Sequence, residues 1–351
     1  MKKPIESHLS AWLKNTGPEP DVVISSRVRL ARNLDDYPFP RFAKPELLKE
    51  VLRQVERATA EAGLQGLSFL PLEKASPLER LALVERHLIS PALTEDVETK
   101  AVVLSADETV SIMVNEEDHL RLQVLMAGLD LDQAWRLADQ LDDYLSTRLK
   151  LAYSPRWGYL TACPTNVGTG LRASVMVHLP ALALTNQLSR VMGAAAKLGL
   201  AVRGLFGEGT AAAGNIFQIS NQVTLGRPEE EIVKHLTAVT RQVIEQERAA
   251  REALLTQARV AVDDRVHRAF GLLAHARRLD SQEALQLLSD VRLGVDAGLI
   301  KNLELRTLNS LLVAIRPAML QLILGRELSA EERDVERASL VREAIGEAVV
   351  S

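Results

Sequence analysis

Cysteine is almost absent from this sequence of 351 residues, which contains one, Cys163. A single cysteine cannot form a disulfide within the chain, and it cannot supply the several thiolates of a structural zinc site. The composition therefore excludes a disulfide framework and a cysteine-based metal cage, and we assign no metal-binding residue.

Aromatic residues and an excess of positive charge are also lacking. Aromatics make up 4% of the chain, and the formal net charge is −4. Proteins that bind nucleic acid without sequence preference use basic surfaces and aromatic stacking platforms. The composition therefore argues against a nucleic-acid-binding function.

Long apolar runs are missing too. No stretch of 18 apolar residues occurs, and residues 1–8 contain no apolar segment of a secretory signal. We therefore expect a soluble cytoplasmic protein without a membrane span. Its hydrophobic content of 47% is ample for a core, and its length fits one large domain or two.

The segment from Cys163 to His178 has the strongest local pattern. Its first half is rich in turn formers and predicts a tight, exposed turn, and alternation from Leu171 to Val177 predicts a strand. On that strand Arg172, Ser174 and Met176 share one face. An arginine at the mouth of a sheet, nine residues after a thiol, indicates an anion site. The alternative is a hairpin with one solvated arginine.

A second strand with two arginines is predicted between residues 21 and 33. Alternation places Arg27 and Arg29 on one face, with Val28 and Leu30 on the other. Two arginines on one strand face repel each other unless an anion lies between them. The alternative is a solvated edge strand.

Helices and strands are interspersed in the rest of the first 258 residues. Apolar stripes predict helices over residues 5–14, 45–62, 76–89, 131–149, 181–198 and 229–257. Further strands are predicted over residues 101–104, 110–114, 201–206 and 215–224. Strands joined by hairpin-like turns and interspersed with helices favour an α+β fold with an antiparallel sheet flanked by helices.

A charged segment, Asn115 to Arg121, follows the predicted strand that ends at Val114. It contains three acids, a histidine and an arginine, a composition that suits a functional site. A solvated charged loop is the alternative.

The composition changes after Gly226, and beyond that point the pattern is helical. We predict an α+β domain over residues 1–258 and an all-helical domain over residues 259–351. Such a helical domain either supplies a dimer interface or packs on the first domain.

The last predicted helix begins at a capping box, Ser329 to Glu332. This start places Arg333 and Arg337 on one helix face beside Asp334. The arginines either bind an anion or belong to a salt-bridged surface helix.

Taken together, these segments resemble the phosphagen (guanidino) kinase family, and within it the bacterial protein-arginine kinases. The resemblance extends over nearly the whole chain. It rests on six signatures in the family's order, Ser25–Arg29, His87–Pro91, Asn115–His119, Cys163–Gly170, Arg172–Met176 and Arg203–Glu208. It implies a phosphagen-kinase-like catalytic domain, an antiparallel sheet flanked by helices, followed by the helical domain.

The resemblance implies that the cofactors are ATP and Mg²⁺ and that the γ-phosphoryl group passes to an arginine guanidinium. His87 would lie beside the nucleotide. The arginines that would surround its phosphates are Arg27, Arg29, Arg121, Arg172 and Arg203. The other nucleotide-binding positions implied by the match are Ser25, Ser26, Val28, Ala173, Ser174, Val175, Met176, Gly204, Leu205, Phe206, Gly207 and Glu208. Phosphoryl transfer relies on positioning and charge neutralisation, which arginines provide in a chain without a Walker-type lysine loop.

The acceptor requires further groups. A guanidinium has a pKa above ~12 and is a poor nucleophile, so a carboxylate must orient it and receive a proton. The resemblance assigns this role to Glu117. Cys163 matches the family's active-site cysteine, and a thiolate there would help to orient the guanidinium electrostatically.

The resemblance also implies substrates and partners. Kinases of small guanidino compounds carry an extra N-terminal helical domain, for which Arg27 comes too early here, so the expected substrates are proteins with exposed arginine. The phosphoarginine-binding allosteric motif of the protein-arginine kinases matches Arg333, Asp334, Arg337 and Ala338. The expected partners are a Clp-type chaperone-protease, a zinc-binding activator protein and a second copy of the chain in a homodimer.

Two positions depart from the family pattern. Phe206 stands where metabolic kinases have a phosphate-binding arginine, as is usual in the protein-arginine branch. Ala211 stands where family members carry a second catalytic glutamate, although Glu208 lies three residues earlier. Two hypotheses remain: a protein-arginine kinase that marks proteins for Clp-type proteolysis, and a catalytically weak adaptor that binds phosphoarginine. A metabolic guanidino kinase is a more distant third.

Overall fold

The computed structural model describes residues 9–14, 17–60, 66–204, 213–346 and 349–350. The strands of this part are β1 (Val23–Arg32), β2 (Leu67–Pro71), β3 (Ala101–Ser105), β4 (Val110–Val114), β5 (Leu120–Ala127), β6 (Tyr153–Ser154), β7 (Gly158–Tyr159), β8 (Leu171–His178), β9 (Leu200–Gly204), β10 (Ile216–Asn221), β11 (Ile300–Lys301) and β12 (Val349–Val350). Eight of them form one sheet in the order β2-β3-β4-β5-β1-β8-β10-β9, and every neighbouring pair is antiparallel. The predicted α+β fold class is confirmed.

Helices cover both faces of the sheet. Their bounds are α1 (Ala11–Lys14), α2 (Pro45–Ala60), α3 (Pro77–Glu85), α4 (Leu131–Ser146), α5 (Pro180–Leu184), α6 (Leu188–Lys197), α7 (Glu229–Gln257), α8 (Arg259–His275), α9 (Ser281–Asp296), α10 (Leu305–Ala314), α11 (Pro317–Leu324) and α12 (Ala330–Ile345). The long helix predicted over residues 229–257 is confirmed.

The first core lies behind the central strands. Val28 and Leu30 point to this side of β1 and are fully buried, as are Ala173 and Val175 of β8. Helices α4 and α7 pack over these side chains. Each large aliphatic side chain buried in this way contributes ~1.5–3 kcal/mol. The alternation read from the sequence therefore selects the core face correctly.

A second core joins the helical region to the opposite face of the sheet. Side chains of α8 to α12 pack with α1, α3 and five buried sheet residues, Ile24, Val102, Met113, Leu125 and Ile216. The arginine-bearing face is therefore apolar and covered over β3 to β5.

Within the described residues no single helix is long and apolar enough to cross a membrane, and α10 with α11 reaches that length and composition only jointly, across a 97° bend.

Two predicted helices end earlier than their apolar patterns suggest. The helix predicted over residues 76–89 ends at Glu85, because His87 adopts a left-handed backbone (φ 62°) and closes a Schellman-type cap with the N–H of Leu88 bonded to the carbonyl of Leu83. The helix predicted over residues 181–198 is instead two helices, α5 and α6. Asn186 (φ 56°) is left-handed between them and ends the first in the same way.

Other boundaries differ by a few residues. The helix predicted to Leu149 ends at Ser146, and the strand predicted to Thr224 ends at Asn221, because Thr224 leaves the sheet to bond the turn at residues 165–169. Of the helix predicted over residues 5–14, the described part is α1, and residues 61–62 and 205–206 also lie outside the described residues. The capping box at the start of α12 is confirmed, with Ser329 and Glu332 bonded reciprocally.

Candidate active site

Strand register assembles arginines on one face of the sheet. Arg29 of β1 lies directly across from Arg172 of β8, and Arg27 lies across from Ser174. Arg121 comes from β5, on the other side of β1. Directly opposed side chains on one face have Cβ atoms about 5 Å apart. Three strands distant in sequence therefore bring guanidinium groups together.

Arg29, Arg121 and Arg172 line a cleft of about 250 Å³, whereas Arg27 is not part of its lining. It contains six of the predicted site residues, Arg29, Glu117, Arg121, Cys163, Arg172 and Arg203. Its other lining residues are Ala31, Asp118, Thr165, Asn166, Gly170, Gln218 and Ser220.

Neutral oxygen acceptors orient two of the arginines. Arg172 donates from Nε to Oδ1 of Asn166 at 3.1 Å and from Nη2 to Oγ1 of Thr165 at 3.1 Å. Arg27 donates from Nη2 to Oε1 of Gln218 at 2.9 Å. Because these acceptors are uncharged, they fix the guanidinium groups without neutralising them.

Arg29, in contrast, has no such acceptor for its Nε–H group. Its Nε is buried and has no hydrogen-bond partner within the described part of the chain. Burial, followed by repulsion from Arg27, Arg121 and Arg172, lowers the pKa of Arg29 well below its ordinary value. Burial and the charge of Arg121 lower the pKa of Arg27 to about 10. An anion among these groups would satisfy the free donor and relieve the repulsion, so the arrangement suits a polyphosphate.

The loop between β4 and β5 supplies the acidic side of the cleft. Asn115 begins it in a left-handed conformation (φ 58°), and its side-chain amide donates to two backbone carbonyls. Glu116 pairs with Arg121 at 2.7 Å. Glu117 is exposed, lines the cleft and makes no hydrogen bond to the described residues.

The two residues after Glu117 hold the loop in place. Oδ1 of Asp118 accepts hydrogen bonds from Nδ2 of Asn33 at 2.6 Å and from the N–H of Ala162 at 2.7 Å. Nδ1 of His119 accepts from the N–H of Leu34 at 3.2 Å, and burial lowers the pKa of His119 to about 4, so the ring is neutral. The side chains of Asp118 and His119 are thus held by these hydrogen bonds and stabilise the loop.

The environment of Glu117 favours its protonated form. Partial burial, followed by repulsion from Asp118 and Glu116, raises the pKa of its carboxyl group, while Arg121 and Arg172 oppose that change. A carboxylate with a raised pKa is a stronger proton acceptor than an ordinary one. Glu117 therefore has the position and basicity expected of a general base.

The thiol of Cys163 lies on the same cleft. Cys163 precedes a 3₁₀ turn, Pro164–Asn166, and its Sγ is 3.0 Å from Oγ1 of Thr165. Because Thr165 accepts a hydrogen bond from Arg172, its own proton is available to the sulfur. The threonine thus connects the thiol to the arginine cluster.

The turn that carries Cys163 is fixed at its far end by Gly170. Gly170 has φ 66°, and a Cβ there would lie 2.5 Å from Nη1 of Arg32. Arg32 is buried, forms a bidentate pair with Asp142 and donates to the carbonyl of Thr169 at 2.9 Å. The close approach of this guanidinium requires glycine.

His87 occupies the end of α3, where a Schellman cap normally has glycine. Its carbonyl accepts a hydrogen bond from Nε2 of Gln123 at 2.8 Å, and its ring centroid is 5.9 Å from that of Trp12. Burial, followed by the charges of Arg27 and Arg316, lowers the pKa of His87 to about 3. A neutral imidazole therefore lies next to Arg27, beside the arginine cluster.

The remaining predicted nucleotide-binding residues are distributed as follows. Ser26, Val28, Ala173 and Val175 point away from the cleft, and Ser26 bonds the carbonyl of Gly128. Ser25, Ser174 and Met176 are on the arginine face by alternation, with Ser174 bonded to Arg27. Gly204 ends β9 next to Arg203. Leu205, Phe206, Gly207, Glu208 and Ala211 lie outside the described residues.

The predicted phosphoarginine-binding residues lie on α12 and contribute nothing to the lining of the cleft. Arg337 is buried, and it donates to the carbonyls of Ile315 and Leu279 and to the carboxylate of Asp334 at 2.7–2.8 Å. Arg333 is half-buried and bonds the carbonyl of Leu328, and Ala338 is fully buried.

Seven cleft residues were not predicted as site residues, and three of them, Thr165, Asn166 and Gln218, accept hydrogen bonds from arginines. Thr165 and Asn166 belong to the signature that begins at Cys163, and their adjacency to the thiol was the available signal. Gln218 gives no comparable signal, because its role depends on the pairing of β10 with β8.

The family comparison agrees with this geometry. Residues 49–250, more than half of the chain, match the model of the ATP:guanido phosphotransferase C-terminal catalytic domain. The chain belongs to the ATP:guanido phosphotransferase family. It is accordingly an ATP-dependent phosphotransferase with a guanidino acceptor. Residues 259–349 match the model of the protein-arginine kinase McsB C-terminal domain.

Relatives and solved structures place the chain among bacterial protein-arginine kinases and guanidino kinases. It is 53% identical to the "Protein-arginine kinase" of Halothermothrix orenii over 97% of this chain and 98% of the relative. It is 56% identical to that of Moorella thermoacetica over 96% of this chain and 97% of the relative. A crystal structure of lombricine kinase matches with a TM-score of 0.59 and 27% identity, over 67% of this chain and 68% of that chain.

Proposed function

We propose that this protein transfers the γ-phosphoryl group of ATP to arginine side chains of proteins and so marks them for Clp-type proteolysis. The observation that carries the proposal is the presence of Glu117 and Cys163 in one cleft with Arg29, Arg121 and Arg172. The names of the two relatives support a protein acceptor.

In the proposed reaction a nitrogen of the acceptor guanidinium bonds to the γ-phosphorus as the bond to the bridging oxygen breaks. ADP leaves with the electron pair, and the guanidinium proton passes to the carboxylate of Glu117. The arginines neutralise charge on the transferring group, and the Cys163 thiolate orients the guanidinium. Arg27, Arg203 and His87 bind on the nucleotide side, together with the other positions of their signatures.

Mg²⁺ belongs to the proposal as a companion of ATP. The described residues contain no group of three or more histidine, cysteine or acidic side chains that could hold a metal ion. Mg²⁺ is commonly bound by substrate phosphates with few protein ligands, so we expect it to enter as MgATP. When bound, it neutralises part of the triphosphate charge.

The test is incubation of the purified protein with MgATP and casein, followed by mass spectrometry for acid-labile phosphoarginine. We expect phosphoarginine with the native chain and at most about a hundredth of that rate with Glu117→Gln. Glu208→Gln and Ala211→Glu examine whether Glu208 supplies the second carboxylate of the family. Phosphorylation of free arginine but not of casein would favour a metabolic guanidino kinase and contradict the proposal.

The adaptor hypothesis is favoured by Ala211, since alanine cannot bind a guanidinium. This hypothesis predicts that the native chain forms no phosphoarginine on casein. It also predicts that the chain binds added phosphoarginine. The proposed binding residues on α12 are Arg333, Asp334, Arg337 and Ala338, and calorimetric titration of phosphoarginine into native protein and Arg333→Ala tests them. The proposed partners, namely a Clp-type chaperone-protease, a zinc-binding activator and a second copy of the chain, rest on the family resemblance alone.

A further inference from the structure

A second and larger concavity lies beside the cleft, and the proposed reaction does not use it. Its volume is about 460 Å³. The hairpin of β6 and β7 forms one side, with Tyr153, Trp157 and Tyr159, and the segment after β10 forms another, with Thr224 and Leu225. We call this concavity the aromatic pocket.

One wall separates the aromatic pocket from the cleft. The turn at residues 163–170 gives Cys163, Thr165 and Gly170 to the cleft, and Gly168 and Thr169 to the pocket. A molecule in the aromatic pocket is therefore separated from the thiol by the thickness of one turn.

Hydrogen bonds fasten this wall to the far side of the pocket. Oγ1 of Thr224 donates to the carbonyls of Thr165 at 3.0 Å and Val167 at 2.8 Å. The N–H of Thr169 donates to the carbonyl of Thr224 at 3.0 Å. Thr165 in turn contacts Cys163, so one residue links the pocket lining to the thiol.

The floor of the pocket depends on glycine and is preformed. A Cβ on Gly158 would lie 2.4 Å from the carbonyl oxygen of Gly168, and a Cβ on Gly168 would lie 2.4 Å from that of Thr224. Three chain segments thus meet at distances that larger residues exclude. A pocket built in this way requires little ordering when a ligand binds.

The exposed lining residues include two aromatic side chains and a leucine, beside Arg156 and Arg227. Tyr153, Trp157 and Leu225 are 58%, 45% and 46% exposed, in a chain with 4% aromatic residues. The charged residues are of both signs, with the guanidinium of Arg156 over the Trp157 ring at 4.7 Å. The aromatic pocket therefore differs from the arginine-rich cleft and suits an uncharged, apolar group.

We propose that the aromatic pocket binds an apolar or aromatic side chain of the acceptor polypeptide, next to the arginine that enters the cleft. The proposal rests on the proposed function, because a small guanidino compound has no second side chain to place there. Continuity through the shared turn, preformed shape and apolar lining support this occupant. The enzyme then selects arginines in segments whose apolar residues are exposed, as in unfolded chains.

The experiment compares two peptides with a single central arginine in a glycine–serine sequence. One has phenylalanine on both sides of the arginine, and the other has serine there. We expect native protein to have a KM about tenfold lower for the phenylalanine peptide, a typical discrimination for an apolar pocket. Trp157→Ala and Tyr153→Ala should abolish that preference and leave kcat on the serine peptide unchanged. Leu272→Ala, at an exposed position on α8, is the matched control.

Each other outcome contradicts the inference. Equal KM values for the two peptides with native protein would show that the pocket selects nothing. An equal loss for both peptides in Trp157→Ala and Tyr153→Ala would show that the pocket merely supports the cleft. If native protein phosphorylates neither peptide, that result would instead refute the proposed function, and the inference with it. Thermal melts of each variant establish that it is folded.

Discussion

Thr165 places its hydroxyl 3.0 Å from the sulfur of Cys163. The same oxygen accepts a hydrogen bond from Arg172 at 3.1 Å, and the carbonyl of Thr165 accepts one from Thr224. One side chain thus connects the thiol with the arginine cluster, and its backbone connects both with the aromatic pocket. The position of the thiol is determined by contacts on both sides of its turn.

We expect Thr165→Val to lower kcat/KM by about tenfold, because Arg172 loses an acceptor and the sulfur loses a donor. The reaction of Cys163 with iodoacetamide should slow in parallel, and Thr165→Ser should restore both rates. Thr256→Val, which removes a hydroxyl bonded only within an exposed helix turn, is the control. An unchanged alkylation rate with reduced kcat/KM would show that the threonine acts on Arg172 alone.

Arg29→Met should stabilise the free protein and weaken ATP binding. The buried Nε has no partner, and three neighbouring arginines repel the guanidinium. We expect the thermal midpoint without ligand to rise by about 2 °C, and the increase caused by ATP to fall to less than half. Arg53→Met, at an exposed pair with Glu50, should change neither quantity. A loss of stability without ATP would show that Arg29 is already compensated.

The activity should fall on the acid side as Glu117 becomes protonated. Its pKa is raised above the ordinary value of 4.5, and the proposed reaction requires the carboxylate, so the acid midpoint of kcat/KM should lie above 4.5. Glu117→Asp should retain an acid limb at reduced activity. Glu117→Gln should lower kcat by roughly 10²- to 10⁴-fold. An acid limb that is unchanged in Glu117→Gln would assign it to another group.

Glu85 connects the helical region to the side of the cleft that is proposed to bind the nucleotide. Its two carboxylate oxygens accept the N–H groups of Ala318 at 3.0 Å and Met319 at 2.7 Å, at the start of α11. His87, two residues later, is left-handed, a conformation that costs roughly 1–2 kcal/mol and requires support. We therefore expect Glu85→Ala to raise KM for ATP about fivefold, which corresponds to ~1 kcal/mol and is a part of the ~1.5–3 kcal/mol that a hydrogen bond to a charged group contributes.

The KM for the protein substrate should not change in Glu85→Ala, and this difference separates a positioning role from general destabilisation. Glu73→Gln, at an exposed residue of the preceding 3₁₀ turn, is the control. Equal changes in both KM values would contradict the assignment.

A buried carboxyl group should make stability depend on pH. Burial raises the pKa of Glu247 to about 7, although the N–H groups of Ala181 and Leu182 oppose the change. The folded state then retains a proton that the unfolded state releases near pH 4.5, so the contribution of Glu247 to stability is greatest below that pH and declines as pH rises to about 7. Glu247→Gln should flatten this decline in thermal midpoints measured from pH 4.5 to 8. A difference in midpoint between native protein and Glu247→Gln that grows in favour of the native chain as pH rises would show that the two N–H groups dominate.

Local patterns predicted the faces of β1 and β8 and the start of α12 because each depends on neighbours in the chain. Strand alternation places Arg27 and Arg29 on one face of β1 and Val28 on the other face. A capping box closes between Ser329 and Glu332. The two helix ends at His87 and Asn186 were not predicted, because neither position has the glycine that usually marks a left-handed residue. A hydrogen bond from Gln123, 36 positions away, holds the carbonyl of His87.

The sequence alone determined the fold class, the family and the identity of most cleft residues, since the signatures specify side chains whatever their separation. Tertiary structure decided which residue of the acidic loop is free to react. Asp118 is engaged by Asn33 and Ala162, and Glu116 by Arg121, so Glu117 alone of these three faces the cleft unpaired within the described residues. The aromatic pocket likewise exists only because close glycine contacts bring three distant segments together, and packing at such distances cannot be read from any local pattern.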